Sequence, residues 1–361
     1  MIPVYLTYGA LLSPLGETKE AHYTALLQNK TGIQKVNQSG FNGEDWYLAK
    51  IDELKGDRFD QLFRKGCEVL LQSIRKEVLS AASTRIILSS TKANLQAVQS
   101  DAFASMRQLT KEILGSTTEP IIISNACISG VLAINMAADL IRSAKCEDVV
   151  VIGVDAVFEF VVYGFQSLFA MSDEPCRPFD STRKGISLGE GFGAVWLSSK
   201  QQDGFCVKYL AGASSNDANH ISGPSRTGEG LYRAVKQTLL RANLKSDAVD
   251  FISAHGTGTL YNDDMESVAF NRLEMQYVPV NSFKGYFGHT LGAAGVLETY
   301  CSLLSMEYQV LFKNEGSVEP GTVEPITILT ENSHQPVKRV LKTASGFGGG
   351  NAAFLMEQLD L

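Results

Sequence analysis

Four side chains with reactive chemistry each follow an apolar run that predicts a β-strand, and each lies in a segment that contains glycine. They are Cys127, His255, Lys284 and His289. A cysteine thiolate is a strong nucleophile, and imidazole is the side chain that shares or exchanges a proton near neutral pH. These residue types make Cys127 a candidate nucleophile and make the other three candidate members of a reactive site.

The segment around Cys127 predicts a strand that leads directly into a helix. Residues 121–123 are all isoleucine, and in residues 131–142 both Ile134 and Ile141 fall on one helical face. The thiol would then lie near the unpaired amides and the positive end of that helix, which should lower its pKa. This stretch alone leaves open a cysteine that is simply buried and packed.

Taken singly, the other residues more often have structural roles. A lone His255 or His289 is usually a histidine satisfied by backbone groups, and a lone Lys284 is usually on the surface. Phe347, between glycines, would be a core aromatic beside a tight turn. The remaining histidines are assigned no catalytic role: His22, His220 and His334.

The composition is that of a soluble globular chain and argues against several functional classes. Of 361 residues, 44% are hydrophobic and 20% are charged, which is ordinary for globular proteins. No apolar run approaches the ~20 residues that cross a bilayer. A net charge of -7 argues against nucleic acid as a partner. The six cysteines form no CxxC pair, which predicts reduced thiols in a cytoplasmic protein without a signal peptide, rather than a zinc site or disulfides.

Strand and helix patterns alternate along the whole chain, which predicts a layered α/β fold made of two similar βα halves. The N-terminal half, residues 1–200, carries Cys127, and the C-terminal half, residues 201–361, carries both histidines. In such folds ligands bind beyond the carboxyl ends of the strands. We also expect one long amphipathic helix over residues 59–78 and a strand over residues 326–329.

Several segments together resemble the signature loops of the β-ketoacyl-acyl carrier protein synthases, the condensing enzymes of fatty acid and polyketide assembly. The resemblance extends over about residues 121–357 and follows the order of the family. The matching segments are residues 125–130, 177–191, 216–224, 254–259, 281–295 and 346–351. One such loop is weak evidence, whereas this many in the correct order is strong evidence.

The resemblance implies a thiolase-like fold, αβαβα in its layers, and a dimer with a Cys-His-His site. Cys127 would accept an acyl chain from a carrier-protein thioester. His255 and His289 would hold a malonyl thioester and stabilise the enolate left when carbon dioxide departs. Attack of this enolate on the acyl-cysteine would give a β-keto product that is two carbons longer.

The resemblance also assigns supporting residues. The backbone amides of Cys127 and Phe347 match the oxyanion-hole donors of the family, and Gly346 and Gly348 would let the Phe347 ring swing as a gate to the acyl pocket. It further implies that no metal ion or organic cofactor is needed, because the substrates are carried on the phosphopantetheine of an acyl carrier protein.

Lys284 and Glu298 match a buried ion pair that, in the family, supports the second histidine, here His289. The chain also departs from the family. The connection before the nucleophile strand, residues 91–118, is short, and this connection bears on the dimer contact and the pocket floor. Ser345 replaces an aromatic ring, which would leave extra space behind the gate, and Ser253 lies where an acidic residue is common.

An elongating synthase is therefore the first hypothesis. The alternative is a non-elongating partner subunit that sets the chain length of another synthase; Cys127 argues against it, while the short connection keeps it open. A biosynthetic thiolase fits the histidine loops less well. The expected partners are an acidic acyl carrier protein, received by basic residues such as Arg64, Lys65 and Lys184, and a second synthase chain in a homodimer or heterodimer.

Overall fold

The computed structural model describes residues 2–54, 56–97, 101–217, 223 and 225–359. Most of the loop over residues 216–224, including His220, therefore lies outside the described residues. No helix in the described ranges is long and apolar enough to span a membrane.

The described elements alternate between strands and helices, as the sequence predicted. In chain order the strands are β1 (Tyr5–Leu12), β2 (Gln34–Val36), β3 (Trp46–Leu48), β4 (Thr84–Ser89), β5 (Ile121–Ile123), β6 (Asp148–Asp155), β7 (Gly191–Ser198), β8 (Cys206–Asn216), β9 (Phe251–Ser253), β10 (Val280–Asn281), β11 (Val310–Leu311), β12 (Ser333–His334), β13 (Arg339–Gly346) and β14 (Gly350–Gln358). The helices are α1 (Lys19–Leu27), α2 (Arg58–Ser73), α3 (Lys76–Ser80), α4 (Ala104–Leu114), α5 (Ser129–Arg142), α6 (Glu159–Ser167), α7 (Glu229–Ala242), α8 (Leu260–Arg272), α9 (Lys284–Phe287) and α10 (Ala294–Tyr308).

Two groups of five strands make up the main sheet of the described chain, and the groups have the same internal order. The first is β5-β4-β6-β7-β1 and the second is β10-β9-β13-β14-β8. In each group the first three strands are parallel and the last two are antiparallel to their neighbours. Strands β1 and β8 join the groups. This arrangement confirms the prediction of two similar βα halves.

The change from one half to the other falls between Ser198, where β7 ends, and Cys206, where β8 begins. The predicted boundary near residue 200 lies in this connection. The division of the chain into residues 1–200 and 201–361 as separate domains stays a prediction.

Alternating side chains of the strands enter different apolar clusters, which defines the layers. On β6, Val149 and Val151 enter the cluster that contains α5 and α10, whereas Val150 and Ile152 enter the cluster of α2 and α4. A third cluster joins α7 and α8 to the other face of the second strand group. Helices α5 and α10 thus lie between the two strand groups, and the order of layers is αβαβα as expected.

Two local predictions are wrong. The helix expected over residues 59–78 is broken at Ile74, which is extended, with φ −121° and ψ 125°. The break lets Ile74, directly after α2, and Leu79, on α3, reach the same apolar cluster. The strand expected over residues 326–329 is reduced to a single bridge between Val280 and Ile328.

Candidate active site

Cys127 lies in a sharp turn between β5 and α5. Ala126, directly before it, has φ 44°, in the left-handed region that a residue with a side chain seldom adopts. The Ser129 hydroxyl holds the turn, because it accepts from the Asn125 N–H at 2.7 Å and donates to the Ala126 carbonyl at 2.6 Å. The strained backbone therefore has a local hydrogen-bonded support and presents the thiol at the end of the central layer.

His255 follows β9 in the loop that leads to α8. The N–H groups of His255 and Gly256 donate to the two oxygens of the Glu266 carboxylate, at 2.8 and 2.7 Å. Glu266 lies on α8 and is buried. The helix that follows the loop thus supplies the carboxylate that fixes the backbone of its own entry segment.

His289 follows α9 and precedes α10, and its ring orientation is set by the backbone around it. The N–H of His289 donates to the Ser187 carbonyl at 2.7 Å. The N–H of Leu291 donates to Nδ1 of the His289 ring at 3.2 Å. Since Nδ1 is then an acceptor, the neutral ring carries its proton on Nε2.

The fold brings Cys127, His255 and His289 together in one buried site. Nε2 of His289 lies 3.0 Å from Sγ of Cys127. The two imidazole rings are 5.2 Å apart between centroids and nearly perpendicular, at 82°. All three side chains are buried, at 7% exposure for Cys127, 3% for His255 and 2% for His289. Positions far apart in the chain, therefore, converge at one end of the central layer.

Lys284 and Glu298 form the predicted buried ion pair, with 2.6 Å between Nζ and Oε1. The pair supports a different histidine from the one expected. Lys284 Nζ lies 3.3 Å from Nδ1 of His255 and also donates to the His255 carbonyl. The expectation that this pair supports His289 is wrong, because the hydrogen bonds of Lys284 go to His255, in the loop after β9. An ammonium at Nδ1 of His255 leaves the ring proton on Nε2, as in His289.

Burial dominates the electrostatics of the three reactive groups. It raises the pKa of the Cys127 thiol to about 12, against the opposing influence of the Lys284 ammonium. The expectation that a helix end lowers this pKa is wrong, because burial removes the sulfur from water and outweighs the position of Cys127 just before α5. Burial first, and then Lys284, holds the pKa values of His255 and His289 well below the usual range. Both rings are therefore neutral at pH 7.

Phe347 lies at the tip of the hairpin between β13 and β14. Gly346 pairs with Gly350 across the hairpin, and Gly348 has φ 86°, which favours glycine. The backbone N–H of Phe347 opposes the rise in the pKa of the Cys127 thiol. A Cβ on Gly346 would lie 3.1 Å from the Cys127 N. The two amides expected to form an oxyanion hole are therefore adjacent to the sulfur.

A cavity of about 400 Å³ opens at the reactive residues. Phe347 lines it, and its ring stacks on that of Phe165, with ring centroids 5.5 Å apart. Ser345, which replaces an aromatic ring of the family, lines the same cavity and donates from its hydroxyl to Asn351 Oδ1 at 2.7 Å. Movement of Phe347 as a gate stays a prediction, as does the effect of Ser345 on chain length.

The basic residues expected to receive a carrier protein are already paired with acidic neighbours. Lys184 lies at the cavity mouth but contacts Asp173 at 3.2 Å and Glu174 at 2.8 Å. Arg64 and Lys65 are likewise paired, with Glu112 at 3.9 Å and with Glu53 at 2.8 Å. Exposed pairs of this kind are weak, so a stronger partner can replace them, but they reduce the local positive charge.

Several residues of the site were missed by reasoning from the sequence. Glu266 and Asp263 hold the His255 loop, and their spacing of three at the start of the helix after that loop was a usable signal. Burial raises the pKa of Glu266 to about 7. Asp155 accepts from the Gly292 N–H at 2.8 Å, next to the His289 loop. Lys342, a lysine inside an apolar strand, contacts Glu298 Oε2 at 2.7 Å.

The expectation of a metal-free site stays a prediction. The sulfur of Cys127 and the ring nitrogens of His255 and His289 lie within 4.8 Å of one another. A soft metal ion could also bridge such a set.

Comparisons with known proteins agree with the geometry. The family model for the N-terminal domain of β-ketoacyl synthases matches residues 92–203, and that for the C-terminal domain matches residues 207–316. These two ranges contain Cys127, Lys284, His255 and His289.

Curated relatives include the putative polyketide β-ketoacyl synthase 1 of Streptomyces virginiae, 33% identical over 259 residues, or 67% of this chain and 61% of that protein. The putative mitochondrial 3-oxoacyl-[acyl-carrier-protein] synthase of Schizosaccharomyces pombe is 30% identical over 257 residues, or 65% of this chain and 60% of that protein. The aligned region thus spans less than two thirds of the length of these relatives.

Solved structures show the same fold. A ketosynthase of Xenorhabdus doucetiae in complex with its chain length factor matches with a TM-score of 0.88, at 23% identity, over 99% of this chain and 98% of that chain. A β-ketoacyl synthase from Burkholderia phymatum matches with a TM-score of 0.86, at 22% identity, over the full length of both chains. With both domain models matched in order across the reactive residues, this chain belongs to the β-ketoacyl synthase family.

Proposed function

We propose that this protein is an elongating condensing enzyme, a 3-oxoacyl-acyl carrier protein synthase that extends an acyl chain held on Cys127 by two carbons from a malonyl thioester. The observation that carries the proposal is the convergence of the Cys127 sulfur with the rings of His255 and His289 at the cavity of about 400 Å³. Fatty acid or polyketide synthesis is the corresponding pathway class.

In the first half-reaction the Cys127 sulfur attacks the carbonyl of an acyl thioester, and the carrier thiol leaves with the proton that the cysteine gives up. The N–H groups of Cys127 and Phe347 would stabilise the oxyanion. The Nε2–H of His289, 3.0 Å from the sulfur, would stabilise the thiolate as it forms. This donor compensates for the burial that raises the thiol pKa.

In the second half-reaction a malonyl thioester loses carbon dioxide, and negative charge moves to its thioester oxygen. The Nε2–H groups of His255 and His289 would both donate to this oxygen, because hydrogen bonds at their Nδ1 atoms fix the tautomers. The enolate carbon then attacks the acyl-Cys127 carbonyl. The carbon–sulfur bond breaks, and the β-keto product leaves on the carrier.

Neutral rings are required for this role, since an imidazolium would protonate the enolate and stop condensation. The lowered pKa values of both histidines support this requirement at neutral pH. The mechanism uses no organic cofactor; the phosphopantetheine arm of the carrier protein enters with the substrate.

The proposed partners are an acyl carrier protein and a second synthase chain, identical or related. Strand β5 ends its strand group, and its isoleucines are only half buried. A second cavity of about 670 Å³ lies along Ile122, Ile123 and Met136 at this edge. An open strand edge beside apolar side chains supports pairing with another chain there. A cytoplasmic location stays a prediction.

The test is incubation of the purified protein with malonyl and acyl carrier proteins of several chain lengths, with mass spectrometry of the carrier-bound products. We expect a β-keto product two carbons longer. The Cys127→Ala variant should form no acyl-enzyme, whereas His289→Ala should form it without elongation. Absence of product at every chain length from a folded, acylated protein would contradict the proposal.

The chain-length subunit would give a different result. Such a subunit would not become acylated at Cys127 by an acyl-site inhibitor, and it would change the product only when another synthase is present. The solved complex of a ketosynthase with its chain length factor shares the fold of this chain. The buried thiol and imidazoles favour the enzyme.

A further inference from the structure

Lys342 is a completely buried lysine that the proposed mechanism does not use. It lies on β13 in an apolar stretch of the sequence, and its exposed fraction is 0%. Lysine is seldom buried without partners, because removal of an ammonium group from water is costly. Its partners therefore indicate what the charge is held for.

The first partners are backbone carbonyls next to His255. Nζ of Lys342 donates to the carbonyl oxygens of Ser253 and Ala254, at 3.0 and 3.3 Å. Ser253 is the last residue of β9, and Ala254 directly precedes His255. The ammonium thus holds the point at which the His255 loop leaves the sheet.

The second partner is Glu298, which Lys342 shares with Lys284. Oε2 of Glu298 lies 2.7 Å from Nζ of Lys342, and Oε1 lies 2.6 Å from Nζ of Lys284. Lys284 in turn lies 3.3 Å from Nδ1 of His255. Burial lowers the pKa of Lys342, and the Glu298 carboxylate opposes that lowering. With both lysines charged, two ammonium groups on one carboxylate give this trio a net positive charge behind the imidazoles.

The other titratable groups that face Lys342 do not cancel this charge. Burial raises the pKa of Glu266 to about 7, so its carboxylate is only partly charged at neutral pH. Burial raises the pKa of Cys301 on α10 well above its usual value, so that thiol is neutral. The charge of Lys342 also opposes protonation of His255 and His289.

We propose that Lys342 is a positioning residue for the condensation. It holds Glu298 and the backbone that carries His255. It also supplies a second positive charge, beside that of Lys284, which favours neutral imidazoles and an anionic oxygen in front of them. The inference rests on the proposed function for its effect on rate, but its electrostatic part concerns the histidines alone. A buried net charge acts strongly on neighbouring buried groups because solvent screens it less than it screens a surface charge.

The test compares Lys342→Met, which keeps the volume and removes the charge, with the exposed control Lys200→Met. We expect Lys342→Met to lower kcat for malonyl decarboxylation about tenfold with an unchanged KM. Loss of a positive charge also raises the pKa of both imidazoles. The acid limb of the pH profile of kcat should therefore move to higher pH by about one unit.

A second substitution separates charge from structure. Glu298→Gln, added to Lys342→Met, restores the net positive charge of the trio through Lys284 and should move the acid limb back toward the wild-type position. If Lys342 only fills space, its replacement would lower the melting temperature and leave the acid limb of the pH profile unmoved in both variants. That result would overturn the proposal. If Lys342→Met does not fold, Lys342→Gln removes the charge while it keeps a hydrogen-bond donor.

Titration of the five histidines by nuclear magnetic resonance needs no substrate. Midpoints that shift upward for the two site histidines in Lys342→Met support the proposal even if no carrier protein is turned over. Unchanged midpoints overturn it. A protein that shows the shift but never condenses any substrate would contradict the proposed function alone.

Discussion

The two halves of the molecule have the same strand order but contribute different chemistry from equivalent positions. Cys127 follows β5, and His289 follows the equivalent strand β10. His255 follows β9, whereas the equivalent strand β4 is followed by Ser90 and Thr91, which donate to Asp155. The N-terminal half thus supplies the proposed nucleophile, and the C-terminal half supplies the neutral imidazoles and the buried lysines.

A second difference shows how the halves depend on each other. Asp155, at the end of β6, accepts from the N–H of Gly292 in the C-terminal half, beside His289. The loop after β13, which is equivalent to β6, places Phe347 against Cys127 in the N-terminal half. Each half therefore positions the reactive group of the other, and neither half contains a complete site.

The largest expected effect is at the nucleophile. Cys127→Ala should reduce condensation by about 10⁴-fold or more, because no covalent acyl-enzyme can form. Intact-protein mass spectrometry after incubation with acyl carrier protein measures the acyl adduct. The matched control is Cys206→Ala, which removes a thiol from β8 outside the site. A normal adduct on Cys127→Ala would place the nucleophile elsewhere.

The imidazoles of the C-terminal half should give a different defect. His255→Ala and His289→Ala should each reduce condensation by about 10²–10³-fold, because each removes one donor to the enolate oxygen. The acyl-enzyme should still form in both. Single-turnover assays that follow acylation and elongation separately measure the difference. The His255 ring makes no hydrogen bond to the Cys127 sulfur. Loss of acylation in His255→Ala would therefore contradict the division of roles, in which Cys127 is acylated and the histidines serve elongation.

The contact between the halves can be disturbed without removal of a reactive group. Gly346→Val should slow acylation about 10²-fold, since a Cβ there lies 3.1 Å from the Cys127 N and would shift the oxyanion donors. Gly164→Val is the control, because a Cβ on Gly164 meets no atom within 4 Å. Equal acylation rates in the two variants would show that the hairpin does not set the geometry of the thiol.

The smallest effect concerns the pH dependence of the thiol. Because burial raises the pKa of Cys127 to about 12, the thiolate fraction should rise about tenfold per pH unit from pH 7 to 10. The rate of alkylation of Cys127 by iodoacetamide, followed by peptide mass spectrometry, should rise in proportion. A plateau below pH 9 would indicate an acidified thiol, as the sequence alone had suggested.

Much of the site could be predicted from the sequence, because its reactive residues lie in short, glycine-containing motifs. The positions of Cys127, His255 and His289 follow from motif order, and their convergence is confirmed by the structure. The histidine that Lys284 supports could not be predicted, since Lys284 is close in sequence to His289 but lies beside His255 in space. The sign of the thiol pKa shift was wrong because local position suggested a helix end, whereas burial by distant elements decides it.

The sequence by itself determined the fold class, the two similar halves and the identity of the reactive groups, since periodicity and motif residues are local properties of the chain. Only the tertiary structure decided which charges share the buried space behind the imidazoles. Lys342 and Glu298 are 44 positions apart by residue number, yet their side chains lie at 2.7 Å. Electrostatic interactions in a dry interior depend on distance in space, and no local pattern in the chain encodes that distance.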